Sequence, residues 1–209
     1  MTDQRLPHSD HFSQPWRIHA LTEDFRVEDV WALPTPGGPD DFRLLVEQFA
    51  AGDRDQPPPL ATRVLFAIRW KVGALLGWDR EETGVGGRVP TLRDRLPDDL
   101  RNRESGPRLG TAGFEPLYLT ENEFAAEVAN ETMHGVLHIG WVADPGSDGG
   151  WRGQMAILVK PNGTKGSIYM GVIKPFRYLI VYPQMLQRIE RGWPKARERA
   201  AAREGAARS

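Results

Sequence analysis

The chain has 209 residues, no cysteine, and a formal net charge of −1 from 27 basic and 28 acidic side chains. The length admits one domain or two very small ones, and the lack of thiols excludes disulfides, thiolate metal sites and cysteine nucleophiles. The near-zero charge excludes a whole-molecule footprint for nucleic acid or anionic lipid, while 40% hydrophobic and 26% charged residues suit a soluble domain able to bury a core.

Residues 1–15 lack the apolar run of a signal peptide and show no periodicity, so they read as a mobile segment of a cytoplasmic protein. "DFRVEDVWAL" alternates Phe25, Val27 and Asp29 against Arg26, Glu28 and Val30, then meets "PTPGGP"; this predicts a strand over 24–32. Phe42, Leu45, Val46 and Phe49 follow at helical spacing. "LATRVLFAIRWKVGALLGW" predicts a second, well-buried helix over 60–77. Residues 79–113 are rich in Gly, Pro and Arg and read as a lid-like insertion, with one helical turn where Thr91 and Asp94 could form a capping box. Four strand-like runs then occupy 114–161, separated by turn signals, and predict an antiparallel meander.

"SIYMGVIKPFRYLIVYPQML", residues 167–186, carries only Lys174 and Arg177 as charges and approaches the length of a membrane span. Placed on a helix over 167–191, however, its polar residues Lys174, Arg177, Gln184, Arg188 and Arg191 form one stripe, as on an amphipathic helix packed against a sheet. Pro175, Pro183 and the two charges also weigh against a span. Asn162-Gly163 leaves a second option, a hairpin that makes 166–173 a strand and starts the helix at Pro175. The tail 194–209 has nothing apolar to dock and reads as mobile.

The order strand, two helices, antiparallel strands, long C-terminal helix resembles the α+β helix-grip fold of the START, polyketide-cyclase and pathogenesis-allergen superfamily. More narrowly, "EDVWALPTPGG", "LHIGWV" and "IKPFRYLIVYP" are similar to a bacterial family catalogued as domain of unknown function 2867, over roughly residues 12–193. The resemblance implies a single domain over 16–193 with an apolar cavity between sheet and C-terminal helix. Trp70, Trp141, Met155, Tyr169 and Phe176 are the large side chains it would place around that cavity.

On strands, Glu123, Glu127 and Glu131 share one face, as do His134, Val136 and His138, and a turn near Glu131 puts both sets on the same side. Glu127, His134 and His138 are therefore candidate acid–base residues; equally, this face is simply solvated while Phe124, Val128, Leu137, Ile139 and Trp141 meet the helices. His134 and His138 are about 13 Å apart along a strand, at about 3.3 Å per residue, and cannot share one metal ion through that strand alone. "HSDH" at 8–11 is ligand-like only if helical. No nucleophile elbow, Walker A or dinucleotide fingerprint occurs, and no cofactor or metal is expected. Three functional readings follow: a binder of a small apolar or amphipathic ligand, a cyclase- or aromatase-like enzyme, and a structural or partner-binding module.

Overall fold

A computed structural model of the chain describes residues 4–51, 89–109, 113–129, 133–162 and 182–207. It is α+β. Strand β1 (Arg5–Leu6), helices α1 (His8–Phe12) and α2 (Ile18–Leu21), strand β2 (Arg26–Ala32) and helix α3 (Phe42–Ala51) come first. A 3-10 turn (Leu92–Arg95), helix α4 (Asp98–Arg101), strands β3 (Glu115–Leu119), β4 (Glu123–Ala129), β5 (Met133–Ala143) and β6 (Trp151–Pro161), and helix α5 (Tyr182–Ala207) complete it. The six strands form one antiparallel sheet in the order β1-β2-β6-β5-β4-β3. The predicted helix over 60–77 and the choice between strand and helix at 166–173 fall outside the described residues.

The sheet is covered on both sides. One face carries Trp31, Phe124, Leu137, Ile139, Trp141 and Met155, packed under Phe42, Leu45 and Val46 of α3 and Leu186, Ile189 and Trp193 of α5. The alternation along β5 dictates this arrangement, because Leu137, Ile139 and Trp141 point one way and Val136 and Val142 the other. Against the second face lie Trp16, Ile18 and Leu21 from the N-terminal segment, with Leu92, Leu96 and Leu100. Of residues 89–109, part of the 79–113 stretch expected to be a lid, Leu92, Leu96 and Leu100 recur every four positions and are buried on the sheet, while most of their neighbours are exposed. The signal is hidden among the surrounding arginines. Arg95 fastens this stretch to the end of α2, donating to both Asp24 carboxylate oxygens at 2.6 and 3.0 Å and to the Leu21 carbonyl at 2.9 Å. That guanidinium holds the Asp24 carboxyl well below the usual range.

Of residues 1–15, expected as a mobile segment, several from Gln4 onward contact the sheet. Arg5 and Leu6 pair with Trp31 and Val30, the Gln4 carbonyl accepts from Ala32 N–H at 2.7 Å, and His11 is fully buried. Two bulges also alter the simple alternation. Val27 pairs with Leu158 and Asp29 with Ile157, so Glu28 is the extra residue and Asp29 turns to the face opposite Val27. Leu117 is likewise extra in β3, between Pro116 and Tyr118. Helix α5 runs through Pro194, which lacks the N–H its turn needs, and the residues beyond Trp193 are mostly exposed. No helix among the described residues is long and apolar enough to cross a membrane.

Candidate functional site

The register of β4 on β5 sets the polar layer. Glu127 lies opposite Val136 and Glu123 opposite Gly140, so each carboxylate has a histidine on the diagonal, two positions earlier on β5. Both reach it: His134 Nε2 is 2.8 Å from Glu127 Oε2, and His138 Nε2 is 3.0 Å from Glu123 Oε2. All four side chains are buried, Glu127 and His138 at 1% exposure, so the solvated-face reading of Glu127, His134 and His138 is corrected. Sequence spacing placed these residues on one side of the sheet but could not reveal what covers them.

Each carboxylate also grips a covering segment. Glu127 Oε1 accepts from the Thr91 hydroxyl and Oε2 accepts from Leu92 N–H at 3.0 Å, at the mouth of the 3-10 turn. Thr91 Oγ1 in turn accepts from Arg93 N–H at 3.1 Å, the capping half of the predicted box. Burial alone would raise the Glu127 carboxyl, but the hydrogen bonds from His134, Leu92 and Thr91 outweigh it and hold the group below the usual carboxylate value. Glu123 accepts from Arg17 N–H with both oxygens, at 2.9 and 3.1 Å, and from the Tyr118 hydroxyl at 3.2 Å. Burial, then the Glu123 charge and hydrogen bond, push the Tyr118 phenol well above its ordinary value. With their lone pairs so engaged, the glutamates act as clamps for 17–21 and 91–95.

A second cluster sits on the same face beside Glu123. The His11 ring lies 4.9 Å from His19 and 5.1 Å from His138, edge to face, and Trp16 lies 5.2 Å from His138. Neither His11 ring nitrogen meets a hydrogen-bond partner of ordinary geometry, and His19 Nε2, Trp16 Nε1 and Gln154 Oε1 are also buried without one. Gly140 makes this packing possible, since a Cβ there would stand 2.5 Å from the Trp16 ring. The ligand-like spacing of "HSDH" leads nowhere: His8 Nε2 lies 3.2 Å from the Glu28 carbonyl at an exposed site, while His11 points inward. Among the described residues no three His, Asp or Glu side chains are arranged to hold a metal ion.

The opposite face carries a polar pair that sequence reading missed. The Tyr182 hydroxyl donates to Asp29 Oδ2 at 2.5 Å, with both residues buried and the Trp31 ring 4.7 Å from Tyr182. The bulge at Glu28 creates this pair, and nothing in the alternation of β2 announces it. Of the predicted cavity residues, Trp141 and Met155 are buried in this layer. Trp141 Nε1 donates to the Gly38 carbonyl at 3.0 Å, and its ring packs on Phe42 and Trp193. Trp70, Tyr169 and Phe176 lie outside the described residues. An open, polar depression of about 250 Å³ lies elsewhere, lined by Arg17, Leu100, Arg103, Thr120, Asn122 and Glu123 among others.

The family described as "Protein of unknown function (DUF2867)" matches residues 21–184. No curated protein and no solved structure matches the chain.

Proposed function

The chain belongs to the DUF2867 family, and from that premise we propose that it is a helix-grip-like module binding a small apolar or amphipathic ligand between the sheet and α5. The observation that carries this reading is the buried Asp29–Tyr182 pair, with the Trp31 ring beside Tyr182, on the apolar face under α5. Small-ligand sites are typically apolar and aromatic walls with a few convergent polar groups that orient the guest. A phenol and a carboxylate inside such a wall would receive the hydroxyl or amine end of an amphipathic molecule. The cyclase-like alternative is weaker. Glu127, His134 and His138 belong to the other face, and acid–base chemistry under α5 would fall to Asp29 and Tyr182 instead.

The test is a fluorescence titration with a fatty-acid or polycyclic probe, for which micromolar affinity corresponds to about −8 kcal/mol. Tyr182→Phe should weaken a probe bearing a hydroxyl or amine head by up to about tenfold, the worth of one hydrogen bond, and leave a hydrocarbon probe unchanged. No saturable uptake of either probe class would overturn the reading and leave the structural module.

A further inference from the structure

We propose that residues 4–12 form an acid-released latch: His11, wedged between His19 and His138, keeps β1 and α1 on the sheet while it is neutral, and lets them go when the solution turns mildly acidic. The inference concerns the face away from α5 and does not depend on the ligand reading.

The geometry carries it. His11 is fully buried, both of its ring nitrogens lack a hydrogen-bond partner, and its two imidazole neighbours stand 4.9 and 5.1 Å away. A proton added to this ring would place a charge in an apolar setting beside two further groups that can themselves become cationic. From its own helix the ring feels His8; from α2, His19; from β5, His138; and from β6, the Gln154 amide, which acts in the opposite direction. The cluster's carboxylate, Glu123, is engaged by His138, Tyr118 and the Arg17 N–H. In keeping with this, burial first, then His138 and His19, lower the His11 pKa from 6.5 to about 3, and burial also lowers that of His19.

The remaining attachments of the segment are few. They include the two paired residues of β1, Leu6 against the apolar cluster, the Gln4 carbonyl on Ala32 N–H, and His8 against the Glu28 carbonyl at an exposed site. Phe12 is 61% exposed, and outside α1 its ring meets the His19 ring, at 5.6 Å. A released imidazole titrates near about 6.5 and the docked one far below. The ratio of open to closed latch should therefore rise roughly 30-fold between pH 7.5 and pH 5.0.

The experiment is amide hydrogen exchange on the full chain at those two pH values, corrected for intrinsic rates. The amides to read are Ser13, which donates to the Ser9 carbonyl at 2.8 Å, and Ala32, which donates to Gln4; those of Val136–Val142 serve as the core reference. The expected result is a roughly 30-fold loss of protection at Ser13 and Ala32, with the core unchanged, and a much smaller loss in His11→Phe, whose ring fills the same space without ionising and leaves only His19 to titrate. Equal protection at both pH values, or a parallel loss in the core strand, overturns the latch. So does a His11→Phe protein that opens with acid as the wild type does. The wild-type comparison decides the matter even if the variant does not fold.

Discussion

The two faces of the sheet are both buried but are held in different ways. Under α3 and α5 the described contacts are mostly apolar, with indole N–H bonds from Trp141 and Trp193 to the Gly38 and Pro36 carbonyls and a carboxylate–phenol pair between Asp29 and Tyr182. Under the N-terminal segment and residues 91–101, apolar side chains share the space with two carboxylate–imidazole pairs and a cluster of imidazoles. Long helices bring whole turns of Leu, Ile and Trp, so the first face needs little else. Short turns bring few apolar groups and many unsatisfied backbone N–H groups, and the second face answers these with carboxylates aimed at Leu92 and Arg17. The consequence is an asymmetry: the first face should tolerate pH change and resist loss of any one polar atom, whereas the second should fail when one acid is removed.

Glu127→Ala should be the most damaging single change, at about 3–5 kcal/mol, because it strands the buried His134, the Thr91 hydroxyl and the Leu92 N–H together. Glu127→Gln, which keeps the shape and an acceptor, should recover much of that. Urea melts measure both; a Glu127→Ala midpoint equal to wild type would mean the clamp contributes nothing. On the other face Leu186→Ala should fall toward the lower part of the about 2–5 kcal/mol typical of buried leucines, since other α5 side chains can close in.

Acid separates the faces further. His11 is lowered in the folded protein, so the unfolded chain binds the proton first, and stability is full above pH 6.5 and is lost on the way down toward pH 3. Glu127 is also lowered, so its contribution is present above its ordinary value of 4.5 and disappears as the pH falls through its folded one. Melts between pH 7.5 and 4 should therefore lose on the order of a few kcal/mol at most, less if the latch opens before the core does. The slope above pH 4.5 should shrink in His11→Phe, to the part that His19 contributes. A smaller effect is expected at Gly140→Ala, where the added methyl meets the Trp16 ring; displacing it should cost about 1–3 kcal/mol. Smallest of all should be truncation after Lys195. It removes the exposed end of α5 and one ion pair, Arg197 to Asp41 at 3.5 Å, and should stay within about 1 kcal/mol.

Strand identity was legible because β4 and β5 carry two distinct faces, β6 holds a short apolar run from Met155 to Val159, and turn residues such as Asn, Asp and Gly separate them. The side chosen by Leu137, Ile139 and Trp141 was legible for the same reason. Burial of His134, His138 and Glu127 was not, because alternation tells which side chains share a face and is silent about what covers it. The cover itself was hidden twice. Leu92, Leu96 and Leu100 stand among four arginines, Arg93, Arg95, Arg101 and Arg103, whose charges dominate any local average. His11 sits in a stretch whose only long-range signals are two strand residues and one ring. Asp29 was read on the same side as Val27; a one-residue bulge, which no local composition marks, moved it across the sheet.

The ends of the sheet are unlike its middle. Among the described strands β3 forms one edge, where Pro116 offers no N–H and the bulge at Leu117 breaks the ladder. At the other end the two residues of β1 cover only Val30 and Trp31 of the seven-residue β2. So short a rim gives a foreign strand almost nothing to extend, which is how folded sheets avoid joining edge to edge. A chain that had let go of those two residues would instead present a longer rim in β2, interrupted by the bulge at Glu28. If the proposed latch opens in acid, self-association that grows with protein concentration is the expected consequence, and light scattering at low pH checks it.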